Sequence, residues 1–304
     1  MQLNFFKNQK KNKKLFLDNQ LISFNLGKKR FNLINKYVKN LFELNEGKRF
    51  KSLKDVQKFL NKTKYYKLEK NLDTMTKLES LVLECFRSKK LLNKHIVGIE
   101  FPINIRIIHP LSPSQIKNRY STASIHCDPW AGEPDDMINV VINLIINKKT
   151  SEIKILKTNN NEIQLYKKFG NTYKNKNFLN SKKYFILLNQ LKKKNTYDLL
   201  NIPGQVFIFG GYLPHYTYRK GDEVRIGLEF RLRTKGPFVS TKNWYNRLNR
   251  TGRYWHLPET NIFSFNEKLK FEYSKINKYA KRKLYKKLRN EEIVNNLQYP
   301  IKFL

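Results

Sequence analysis

A chain of 304 residues, 40% hydrophobic and 13% aromatic, can bury a sizeable core and is too apolar to be a disordered polyelectrolyte. Its 61 Lys+Arg against 24 Asp+Glu leave a formal charge of +37, but Lys and Asn are dispersed in runs such as Lys7–Lys14 and Lys174–Asn177. That dispersal fits the coding bias of an AT-rich genome better than one nucleic-acid-binding face. Two cysteines exclude a disulfide framework.

In chain order, residues 1–30 carry no clear period and read as a loosely attached arm. Their apolar pieces are too short for a signal peptide. Leu33, Ile34, Tyr37, Val38, Leu41 and Phe42 fall at helical spacing. A second helix is expected from Ser52, where Asp55 three residues on suggests a capping box. A third is expected from Leu68 to Leu92, burying Leu78, Leu81, Val82, Cys85 and Phe86.

From Gly98 the period shifts toward two. Strands are expected at 101–108, 120–126, 137–146, 153–156, 206–209 and 224–232. The longest apolar run, Val140–Ile146, is interrupted by Asn143 and is far too short to cross a membrane. A cytoplasmic protein is therefore expected. Residues 158–200 are rich in Lys and Asn and read as an insertion, with one strand or helix at 184–188. After Gly236-Pro237 the chain is irregular and aromatic, then helical over 266–297. Helices, then short strands, then a helix give a mainly β protein with flanking helices (α+β). The expected divisions are a helical region 1–97, a β core 98–235 and an extension 236–304.

The stretch Ser124–Trp130 organises the functional reading. On an extended strand His126 and Asp128 leave the same face, with Cys127 opposite. His215, in Tyr212-Leu213-Pro214-His215-Tyr216, supplies a second imidazole. Two histidines and one carboxylate form the facial triad that leaves positions open on a non-heme Fe(II). Arg225 follows on the next strand, and an inward guanidinium offers a bidentate fork to a carboxylate. Left unpaired it is strongly unfavourable, so an anion must come from the protein or from a dicarboxylate cosubstrate.

Taken together, His126-x-Asp128, His215 and Arg225 resemble the Fe(II)/2-oxoglutarate-dependent dioxygenases. Pro203–Phe209, leading to Pro214-His215, resembles the segment ahead of the distal histidine in the phytanoyl-CoA-hydroxylase-like branch. The likeness covers residues 98–235. It implies a double-stranded β-helix (jelly-roll, cupin-like) core with Fe(II) held by His126, Asp128 and His215. It further implies 2-oxoglutarate with its distal carboxylate on Arg225, O₂ as the other cosubstrate, and succinate and CO₂ as products. The substrate class implied is a small molecule (a sugar, lipid-linked compound or secondary metabolite). Related halogenases replace the carboxylate ligand with a small residue, so Asp128 points to hydroxylation or desaturation. The family often has Ser or Thr two positions after the arginine, whereas Gly227 stands here. Asn139 and Tyr120 are the candidates to hold the carboxylate instead.

In the loop after the ligand pair, Trp130, Asp135 and Asp136 are candidate substrate contacts, with turn formation the alternative for the two aspartates. Arg231 shares the strand face of Arg225 and serves either an anion or Glu229. His95, His109 and His256 lack a carboxylate at ligand spacing and read as structural. Two other functions fit the pattern. An AlkB-like nucleic-acid demethylase draws on the basic charge and the Arg225–Arg231 spacing, against which stand the dispersed charge and the short His215–Arg225 gap. A non-catalytic jelly-roll binding protein would make the histidines incidental.

Overall fold

The computed structural model describes residues 21–63, 66, 68, 72–88, 98–101, 103–110, 124–131, 137–169, 182–233 and 254–256. Residues 1–20 of the expected arm, strand residues 120–123 and the helix over 266–297 lie outside the described residues, as does His95. Residues 21–30, expected to be loose, instead hold strand Ile22–Asn25, paired with residues 205–208, and the start of helix Lys28–Glu46. The architecture is mixed, with helices and antiparallel strand pairs. The chain divides into two compact units.

The first unit draws on residues 21–27, 51–67 and 105–229. Its central strand is β4 (Met137–Ile145), buried at all nine positions. A strand covered on both faces reads as a near-continuous apolar run, which is why Met137–Ile145 shows little alternation. Its two polar interruptions, Asn139 and Asn143, are four apart and so share one face. Strand β6 (Gln205–Gly210) pairs antiparallel with β4, setting Asn139 opposite Phe209 and Val141 opposite Phe207. Strand β1 (Ile22–Asn25) pairs with the other edge of β6. Beyond β4 lies β8 (Arg225–Arg233), which β3 (Asn104–Ile108) also joins. A separate two-stranded sheet pairs β5 (Glu152–Ile155) with β7 (His215–Tyr218), placing Ile155 opposite His215.

Among its described residues the stretch 158–200 holds the helices Asn160–Lys168 and Lys182–Lys192. The ambiguous apolar run at 184–188 is thus helical. Ile163, Tyr166, Leu187 and Leu191 enter the same buried cluster as Cys127, Trp130, Val141, Ile155, Phe207 and Phe209. Much of that stretch is therefore part of the core beside the ligand-bearing segment. Among the described residues Phe169, Leu188, Tyr197 and Leu199 also pack against that cluster, an inward set that a surrounding of Lys and Asn conceals in the sequence.

The Ser52 capping box forms as expected: Asp55 N–H donates to Ser52 Oγ and Ser52 N–H donates to Asp55 Oδ2. It starts the helix Leu53–Leu60, whose Val56 and Leu60 are fully buried. Gly221 turns the chain at φ +64°, where a Cβ would also collide with the Lys149 carbonyl.

The second unit draws on residues 28–50, 68–104 and 230 onward. Helix Lys28–Glu46 buries Ile34, Val38, Leu41 and Phe42, while Leu33, expected inside, is 38% exposed. It packs on helix Leu72–Ser88; of the remainder of the expected 68–92 helix, Leu68 is not helical, and 69–71 and 89–92 lie outside the described residues. Buried on that second helix are Leu78, Val82, Cys85 and Phe86, and Phe86 meets Phe230 edge-on at 5.7 Å. Strand β2 (Gly98–Phe101) pairs with the end of β8 and with β9 (Tyr254–His256). The irregular aromatic stretch after 236 thus contributes a strand that single-sequence periodicity, only three residues long here, did not register. Arg231 pairs with the fully buried Glu100 at 3.2 Å, and so is not committed to Glu229. No helix among the described residues is long and apolar enough to cross a membrane.

Candidate metal centre

Two backbone hydrogen bonds create the site. His126 N–H donates to the His215 carbonyl at 3.0 Å, and His215 N–H donates back to His126 at 2.9 Å. The two histidines therefore face each other as an isolated antiparallel bridge, with ring centroids 4.5 Å apart. Sequence spacing suggested that His126 and Asp128 share an extended strand. Instead Asp128 begins a short helical turn, Asp128–Ala131, anchored by its own N–H on the Gly211 carbonyl at 3.2 Å. The turn still delivers the carboxylate to the histidines. Asp128 Oδ1 lies 3.8 Å from His126 Nε2, and Oδ2 lies 3.7 Å from His215 Nε2. The three ligand atoms all fall within 4.8 Å of one another, the one such group of His, Cys, Asp or Glu among the described residues.

The ring tautomers follow from the partners of the other nitrogens. His126 Nδ1 sits 2.8 Å from the Ser124 carbonyl and His215 Nδ1 sits 2.9 Å from the Leu213 carbonyl. A carbonyl only accepts, so each Nδ1 carries the proton, and each neutral ring keeps its Nε2 lone pair for the space in front of Asp128. Backbone carbonyls behind ligand imidazoles are the usual support in metal sites. Asp128 is supported too: Asn139 Nδ2 donates to its Oδ2 at 2.6 Å, with both residues 6% exposed. Spacings of 3.7–3.8 Å are somewhat wider than the roughly 3 Å between adjacent ligands of a six-coordinate ion. Two imidazoles and a carboxylate, oriented this way, suit a divalent transition metal.

The surroundings are apolar. Phe209 stands edge-on to His215 at 5.0 Å. Cys127, between the ligands in sequence, points into the core, fully buried, and its thiol donates to the Tyr212 carbonyl at 3.3 Å. Burial, with the Asp128 charge second, pushes that thiol well above its ordinary range, so it is an inert packing residue. Trp130 is buried at 4% exposure, its Nε1 donating to the Tyr166 carbonyl at 3.1 Å and its ring edge-on to Tyr166 and Phe169. It ties the ligand segment to helix Asn160–Lys168. Tyr120, Asp135 and Asp136 lie outside the described residues. His109 has its ring half-buried, and burial lowers its pKa.

At the other end of β4's inner face stands Arg225, 1% exposed. Its Nη2 donates to Asn143 Oδ1 at 3.2 Å. The Glu229 carboxylate approaches only to 3.9 Å and lies closer to Arg106, at 2.9 Å. Two guanidinium groups thus share one carboxylate. Burial draws the Arg225 pKa down, Glu229 opposes that, and Arg106 adds to it. Asn143 was visible in the sequence only as a break in an apolar run; the pairing of β4 with β8 is what brings it to Arg225. Asn139 and Asn143 lie about 13 Å apart along the strand at ~3.3 Å per residue. The candidate ligands and the buried cation therefore mark two ends of one strand face.

No protein-family model matches the chain, and comparison with curated proteins gives no match. Among solved structures, an N-substituted L-amino acid dioxygenase from Burkholderia ambifaria AMMD in complex with alpha-KG aligns over 71% of this chain and 83% of that one, with 10% identity and a TM-score of 0.34. A second structure of that dioxygenase aligns over 60% and 69%, with 10% identity and a TM-score of 0.29. Scores this low do not establish a shared fold, and the site stands on its own geometry.

Proposed function

We propose that this chain is an Fe(II)/2-oxoglutarate-dependent oxygenase that hydroxylates a small molecule through a double-stranded β-helix core over residues 98–235. The observation that carries the reading is the convergence of His126 Nε2, His215 Nε2 and the Asp128 carboxylate, with both Nδ1 atoms committed to carbonyls. Three such ligands leave coordination positions open for a cosubstrate and O₂. Iron held there supplies O₂ activation coupled to oxidation of 2-oxoglutarate to succinate and CO₂. Every other task falls to the protein. The Ser124 and Leu213 carbonyls hold the two rings as Nε2 donors, and Asn139 fixes the Asp128 carboxylate. Phe209 keeps one side of His215 apolar.

Arg225 narrows the cosubstrate. A fully buried guanidinium carries a desolvation penalty of several kcal/mol unless an anion repays it. Glu229, shared with Arg106 and 3.9 Å away, repays little. A diacid reaching from the metal ligands toward Arg225 would supply the missing charge. 2-Oxoglutarate has that form, and the likeness of Pro203–His215 to the phytanoyl-CoA-hydroxylase-like branch agrees with it. The carboxylate at Asp128 favours hydroxylation over halogenation.

The test is anaerobic reconstitution with Fe(II), followed by O₂ and 2-oxoglutarate, reading iron stoichiometry and succinate. One iron per chain and O₂-dependent succinate are expected. His126→Ala, Asp128→Ala and His215→Ala should each lose both, while His256→Ala keeps both. Normal turnover by Asp128→Ala would sink the ligand assignment.

A further inference from the structure

We infer that Asn143 is a specificity-determining residue of the cosubstrate pocket, completing with Arg225 a carboxylate clamp built across β4 and β8; this rests on the oxygenase reading above. Asn143 is fully buried, and its Oδ1 accepts from Arg225 Nη2 at 3.2 Å. The opposite amide orientation would set N–H against N–H, so the donor end is fixed facing away from the guanidinium. That donor, Asn143 Nδ2, has no hydrogen-bond partner among the described residues, and neither does Arg225 Nε. Two adjoining buried groups with unmet donors are costly to leave so, about 1–3 kcal/mol for each buried group. One of them carries a positive charge whose nearest carboxylate is shared. An acceptor bearing negative charge satisfies both at once, and a carboxylate has the lone pairs to do it.

Gly227 explains why the donor comes from the neighbouring strand. A Cβ at that position would stand 3.0 Å from the Ile142 carbonyl, tighter than a side chain sits without β4 giving way. A hydroxyl-bearing residue two positions after Arg225 would require β4 to yield by a few tenths of an ångström. Asn143, the next residue on that same β4 backbone, supplies the donor in its place. The clamp therefore requires an acceptor that is charged and planar at the far end of the cosubstrate, and it discriminates against 2-oxo monoacids.

Glutarate tests the clamp apart from the metal, since it carries the distal carboxylate but no keto acid. Binding to the metal-free full chain is measured by calorimetry and thermal shift, beside 2-oxoglutarate with Mn(II). Wild type should bind both. Asn143→Leu, close in shape, should weaken glutarate about 10- to 100-fold, the loss of one hydrogen bond to a charged group. Asn143→Asp should raise the melting temperature, by giving Arg225 an internal counter-ion, and abolish glutarate binding. A merely structural asparagine would not reverse stability and binding in this way. If both variants bind glutarate like wild type while Mn(II)/2-oxoglutarate binding persists, the clamp is refuted and the oxygenase reading survives. If wild type binds neither ligand, both fall.

Discussion

Replacing Asn139 with leucine isolates one hydrogen bond at the proposed metal centre. Leucine has the same branched four-heavy-atom skeleton as Asn139 but is bulkier, so β4 must absorb a modest volume increase while the 2.6 Å bond from Nδ2 to Asp128 Oδ2 is lost. Both partners are 6% exposed, so water cannot take the place of the donor. A hydrogen bond to a charged group contributes about 1.5–3 kcal/mol, which is one to two decades in a binding constant. Outer-sphere partners of metal ligands typically contribute about 10- to 100-fold in affinity, the same range. Asn139→Leu should therefore bind Mn(II) about 10- to 100-fold more weakly than wild type. The assay is anaerobic metal titration against a competing chelator, with circular dichroism to verify the fold. An affinity within about twofold of wild type, in a folded variant, would mean that Asp128 is not a ligand or is held in place by other contacts.

Arg225→Met removes a buried cation that the protein compensates poorly, so chemical denaturation should show stability unchanged or higher while succinate formation is abolished. A loss above about 2 kcal/mol would show that Glu229 and Asn143 already satisfy the charge. Glu152 is opposed by burial, yet its hydrogen bonds to Lys154 and Lys220 leave its carboxyl below the ordinary 4.5. With a folded pKa below the unfolded one, its contribution is complete above pH 4.5 and disappears as pH falls through the folded value. Glu152→Gln should therefore be less stable than wild type at pH 7, and the gap should close below pH 4.5; a gap that persists at pH 3 contradicts the pairing. Gly221→Ala forces a side chain into positive φ and against the Lys149 carbonyl, so it should lose at least ~2 kcal/mol in urea unfolding, and a loss below about 1 kcal/mol would refute the contact.

Much of the site was legible in the residues because its chemistry is carried by rare side chains in a fixed order. Only five histidines are present, so His126-x-Asp128 followed by His215 and Arg225 stands out against the Lys/Asn background. The Ser52 capping box and the stripe Ile34, Val38, Leu41, Phe42 were equally legible, since both depend on contacts within a few residues. The strand at Tyr254–His256 and the inward faces of 158–200 were not. Their partners, Ile99 and the Trp130 cluster, are distant in sequence, and short or half-polar segments show no period of their own.

What the amino-acid sequence determined by itself is the set of donor atoms: two imidazoles, one carboxylate and one guanidinium, in order along the chain. What the tertiary structure decided is the support behind them. The reciprocal His126–His215 bridge, the carbonyls that fix both tautomers, Asn139 on Asp128 and Asn143 on Arg225 all join residues through paired backbones or buried side chains. Asn139 and Asn143 differ in role although they are one residue type four positions apart on one strand face. Only the strands packed around each end of β4 distinguish the one that faces an anion from the one that faces a cation.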